Sequence, residues 1–118
     1  MTDLAYKLVD GAEWRTAIAN GSYAGSAVDL ADGYIHMSTA AQLAETARRH
    51  YSGRDDLVLV SIALTGLGEA LKWEASRGGD LFPHLFRPLQ TSFAVEERRL
   101  TVDEAGLMRF EDGTVGWP

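Results

Sequence analysis

The chain has 118 residues, 46% apolar and 24% charged, the size and make-up of one globular domain. It contains no cysteine, which excludes disulfides, thiolate nucleophiles and cysteine-bound metal centres. Seventeen Asp and Glu against eleven Lys and Arg leave a net charge of −6, a poor match to a phosphate backbone, so a small-molecule partner is expected and nucleic acid is not.

Residues 4–9, LAYKLV, alternate as a strand does. Asp10 and Glu13 have capping-box spacing and predict a helix over EWRTAIA that ends near Asn20-Gly21. Residues 20–32 lack periodicity, which predicts a long, ligand-facing loop. GYIHMS (33–38) reads as a short strand, and Thr39 with Gln42 repeats the capping-box spacing to open a helix through Tyr51. On that helix Ala40, Leu43, Ala44, Ala47 and Tyr51 share the apolar face.

DLVLVSIAL (56–64) is the near-continuous apolar run of a central strand buried on both faces. LKWEAS (71–76) is a further strand, broken by Gly78-Gly79. DLFPHLFRPL (80–89) holds two prolines and predicts an ordered but irregular segment. SFAVEERRLTV (92–102) reads as a strand that DEAG turns into LMRFE, a C-terminal hairpin. Two or three helices and five to seven strands, segregated rather than alternating, make α+β the expected class. The first residues show no basic region followed by an apolar run, and the longest apolar stretch is too short to span a bilayer. A cytoplasmic location without membrane contact is the expectation.

The chemistry concentrates in two stretches. His36 alone reads as a structural histidine bonded to a backbone carbonyl. Ser38 shares its strand parity about 7 Å away, and both lie beside the N-terminus of the following helix, where free N–H groups favour an anion or a ribose. In KWEASRGGDLFPHLFRPL (72–89), Glu74 and His84 titrate beside bulky apolar groups and are the catalytic candidates. Phe82, Leu85 and Phe86 read as anchors on the core. Arg77 and Arg87 have Glu74, Asp80 or a ligand phosphate as partners, and Tyr34 and Arg87 join His36 and Ser38 as candidate ligand contacts. Neither a Gly-rich phosphate loop, H-E-x-x-H nor G-x-S-x-G occurs. His36, His84 and Glu74 are suitable metal ligands at non-local spacing, so no metal is expected, and a metal-dependent hydrolase stands only as an alternative.

Together, DGYIHMST, LVLVSIAL, LKWE and LFPHLFRPL resemble the bacterial domain-of-unknown-function 952 family over roughly residues 4–102. That resemblance implies a fold similar to the ADP-ribosyltransferases, a split α+β sheet that grips nicotinamide adenine dinucleotide (NAD). It implies that His36 holds the adenosine ribose and Ser38 supports the second ribose, with Met37 standing where such enzymes have glycine. It further implies a glutamate that stabilises an oxocarbenium-like transition state at the nicotinamide-ribose bond, from among Glu74, Glu96 and Glu97, and a His84 ring that stacks on nicotinamide. The expected function is therefore a nucleotide pocket for NAD or an ADP-ribose-like ligand, with ADP-ribosyltransferase-like chemistry. A non-catalytic nucleotide-binding or sensor domain is the other reading.

Overall fold

The computed structural model describes residues 3–117, apart from the Arg77 side chain. Strand β4 (Leu57–Ala63) runs through its middle, since residues 57–62 are buried without a break and leave no polar face for water. It pairs antiparallel with β1 (Leu4–Asp10) on one side and β8 (Ala94–Val102) on the other, and β9 (Met108–Phe110) closes the order β1-β4-β8-β9. Strand alternation then sorts the side chains into two clusters. Val58, Val60 and Ile62 join Ala5 and Val9 on one face, against Trp14 and Ala17 of α1 (Gly11–Asn20). Leu57, Leu59 and Leu8 join the other, beneath Leu43 and Ala47 of α3 (Ala40–His50).

Several expectations hold in detail. Asp10 caps α1 by accepting from Glu13 N, and Gly21 ends that helix in the left-handed conformation. Thr39 and Gln42 form a complete capping box on α3. Strand β5 spans Leu71–Ser76, and β8 turns into β9 through Asp103, whose carboxylate accepts from Ala105 N and Leu107 N. The described residues form three α-helices and nine strands with every strand pair antiparallel, an α+β fold. No helix is long and apolar enough to cross a membrane among the described residues.

Three expectations fail. Residues 20–32 are no loop: they form β2 (Ser22–Tyr23) and α2 (Ala27–Asp32). Ser26 caps α2 reciprocally with Asp29, a Ser-x-x-Asp signal hidden because the helix is too short to show periodicity. Gly25, at φ +114°, is required there, since a Cβ would stand 2.8 Å from that of Asp29.

Residues 80–89 are not irregular either. They contain β6 (Asp80–Leu85), the middle strand of the order β3-β6-β5 with β3 (Ile35–His36), and then β7 (Leu89–Gln90), which pairs with β2. Pro83 is tolerated because the N–H it lacks would point the same way as its carbonyl, toward β3 beyond that strand's two-residue ladder. There only the carbonyl is used, by Met37 N at 3.1 Å. On α3 the buried residues are Leu43 and Ala47, whereas Ala40 and Ala44 are exposed. The expected Arg77 pairing lies outside the described residues, as does Pro118.

Because Leu59 is enclosed on β4, Leu59→Ala removes packing the sheet cannot recover. It should destabilise by roughly 2–5 kcal/mol in urea unfolding with an unchanged slope.

Candidate functional site

Strand β1 is an edge of its sheet, and a cleft of about 610 Å³ runs along it. Its walls come from β1, α1, β2, α2, β3, α3, β5 and β6. The edge is only partly covered. Tyr6 and Ser38 exchange backbone hydrogen bonds at 2.8 and 2.9 Å, and the Tyr51 hydroxyl donates to Leu8 O at 3.1 Å.

At the centre lies a buried ion cluster. Lys7 shares strand parity with Ala5 and Val9, so its side chain enters an apolar layer and is only 5% exposed. Its ammonium lies 3.1 Å from Asp29 Oδ2 and donates to His36 O at 2.9 Å. Asp29, 2% exposed, accepts further bonds from Ser26 N (2.9 Å), His36 N (3.1 Å) and His36 Nδ1 (2.7 Å). Burial penalises the Asp29 carboxylate, yet His36, Lys7 and the Ser26 and His36 amides outweigh it and hold its pKa well below the usual carboxylate range. For Lys7 burial outweighs the opposing pull of Asp29 and Glu13 and lowers the ammonium's pKa. Sequence reasoning missed both residues. The available signals were the Ser26–Asp29 spacing and a lysine at an apolar parity position.

His36 and His84 are cross-strand partners on β3 and β6, their rings 5.5 Å apart. Tyr34 covers both, at 4.5 Å from His36 and 4.2 Å from His84, and Phe86 packs beyond it at 4.9 Å. Each imidazole meets a carboxylate through Nδ1: Asp29 for His36 and Glu74, at 2.8 Å, for His84. His36 Nε2 is also 3.0 Å from Asp32 Oδ2. A carboxylate only accepts, so both His36 bonds form together only when both ring nitrogens carry protons. His84 is the simpler dyad. With Nδ1–H donating to Glu74, its Nε2 presents a lone pair, and among the described residues that nitrogen has no hydrogen-bond partner.

Ser38 lines the cleft but is buried, its hydroxyl 2.9 Å from that of Thr46. Met37 sits in the core, and the N–H that a glycine there would offer a ligand is bound to Pro83 O. Glu74 is outside the cleft lining and meets it only through His84, whereas Glu96 and Glu97 lie on β8 opposite Ser61 and Val60, away from it. Arg87 is in an exposed bend outside the cleft. Among the described residues no three His, Asp or Glu side chains are arranged to hold a metal ion, and His36, His84 and Glu74 share no ligation point.

Replacing Asp29 with Asn leaves Lys7 buried and unpaired. Asp29→Asn should lose roughly 3–5 kcal/mol at neutral pH, and Lys7→Met in the same chain should recover much of it, as a double-mutant cycle by urea unfolding reads directly. The depressed Asp29 pKa sets the pH window. Its contribution is complete above the unfolded carboxylate value of about 3.9 and is lost as pH falls from there through the folded value. The wild-type margin over Asp29→Asn should therefore shrink only in strong acid.

No curated protein matches the chain. Among solved structures it is similar to protein CC0527 from Caulobacter crescentus. The crystal structure is 50% identical, covers 89% of this chain and 92% of that one, and gives a TM-score of 0.85. The solution NMR structure of CC0527 is 51% identical over 87% and 89% of the two chains, with a TM-score of 0.77. The family described as "Protein of unknown function (DUF952)" matches residues 8–97 and so takes in β3, β5 and β6 with all of the histidine wall: the chain belongs to that family.

Proposed function

We propose that the β1-edge cleft binds a nucleotide of the NAD or ADP-ribose type and that His84 serves chemistry at the nicotinamide-ribose bond. The observation that carries this reading is the paired histidine wall. Two imidazoles side by side, each oriented through Nδ1 by a carboxylate and covered by Tyr34, offer a stacking surface and a proton acceptor in one place. The H-x-S stretch, His36-Met37-Ser38, supports a ribose contact at His36. Because Met37 N–H is already bound, the nicotinamide amide is not read there as it is at a glycine.

In the reaction the C1′–N bond breaks and its electron pair leaves with nicotinamide as the neutral base. A water or acceptor hydroxyl forms the new C1′–O bond, and its proton passes to His84 Nε2. Glu74 stabilises the resulting imidazolium through Nδ1–H and so acts as a positioning residue. A binding module without turnover is the second reading, favoured by Glu74 standing outside the cleft lining.

Titration calorimetry with ADP-ribose and NAD, followed by assay of nicotinamide release, tests both. Binding of either ligand with His84→Asn reducing release 10²-fold or more supports the enzyme. Binding with no release leaves the sensor domain, and heats equal to buffer at millimolar ligand reject the site.

A further inference from the structure

Among the described residues two buried side-chain polar atoms lack any hydrogen-bond partner: Trp14 Nε1 and the Tyr23 hydroxyl. The rings pack edge to face, 5.8 Å apart, and Tyr23 lines the cleft while only 3% exposed. An enclosed hydroxyl without a partner costs roughly 1–3 kcal/mol, so a fold that retains one at a cleft wall has a partner to gain there. Tyr23 is fixed from both sides, by β2 pairing with Leu89 of β7 and by Trp14 of α1, so it does not turn away to find one within the protein.

The surroundings restrict what that partner is. Asp29, Glu13 and Asp10 line the same cleft, and burial followed by these carboxylates pushes the Tyr23 pKa up, so the phenol stays a neutral donor. An anion would meet Glu13 and Asp10 there, while Asp29 is already taken up by Lys7 and His36. An ammonium would find carboxylates but would leave the phenol proton unused. What remains is an uncharged group with a hydrogen-bond acceptor, and a flat heteroaromatic ring is one that a cleft of about 610 Å³ admits.

We propose that Tyr23 marks a subsite for an uncharged heteroaromatic base, its hydroxyl donating to a ring nitrogen or exocyclic oxygen. This rests on the nucleotide reading and deepens it. With the nicotinamide-ribose end at His84, the base bound at Tyr23 is adenine, and Tyr23 is the residue that selects it.

The test compares wild type with Tyr23→Phe by calorimetry, using ADP-ribose, adenosine and inorganic pyrophosphate, alongside thermal unfolding. Tyr23→Phe removes only the unpartnered hydroxyl, so its melting temperature should equal or exceed that of wild type. Its affinity for ADP-ribose and adenosine should fall about tenfold, the worth of one hydrogen bond, and any pyrophosphate binding should be unchanged. If ADP-ribose binds both proteins equally, the nucleotide reading stands and this inference falls, the hydroxyl then holding only water. Tighter loss of pyrophosphate than of adenosine also overturns it. Should neither ADP-ribose nor adenosine bind wild type, both readings fall together.

Discussion

The pairing of Asp29 with Lys7 holds the two halves of this molecule in register. Lys7 belongs to β1 and the four-stranded sheet, whereas Asp29 belongs to α2 and reaches the second sheet through His36 of β3. Neither charge is independently stable where it sits. Lys7 lies in a layer with Ala5 and Val9, and Asp29 is almost fully enclosed. Each tolerates burial because the other is there, and because Asp29 also collects the amides of Ser26 and His36. One carboxylate thus caps a helix, neutralises a lysine, orients an imidazole and anchors a strand. A hydrophobic pair of similar volume would fill the space but would leave His36 without its Nδ1 partner.

The histidine wall inherits its geometry from that constraint. β3 is only two residues long, too short to hold its register by ladder bonds alone. Its backbone is secured by Lys7 on the His36 carbonyl, Asp29 on the His36 amide and Pro83 on the Met37 amide. With β3 fixed, His36 must face His84, and Tyr34 must cover both. Glu74 then completes a second imidazole-carboxylate pair from β5, one strand farther on. The cleft therefore combines rings held rigidly in place with an edge strand left partly open, the combination that binding and proton transfer both require.

What the sequence displayed was the fold's long elements. β1, α1, α3, β4, β5 and the β8–β9 hairpin each carry enough residues for periodicity and capping signals to agree. His36, Ser38, Glu74 and His84 were visible as polar residues in apolar company. What it concealed were features set by long-range contact. α2 has six residues and is held by Asp29 rather than by an amphipathic face, so its stretch reads as a loop. β6 contains a proline whose tolerance depends on where β3 ends, which no local rule conveys. Lys7 reads as an ordinary strand lysine until its partner, twenty-two residues away, is placed beside it. Tyr23 gave no signal at all, because an unpartnered hydroxyl is a property of the packed structure alone.

Asp29 fixes α2 and β3 as one unit against β1. Hydrogen–deuterium exchange on wild type and Asp29→Asn tests it most directly. The amides of residues 26–37 should lose more protection in the variant than those of β4 and β8, whose loss is set only by the drop in global stability, since the four-stranded sheet does not depend on Asp29 for its ladder. Protection across 26–37 that is unchanged, or that falls no further than in β4 and β8, would contradict it.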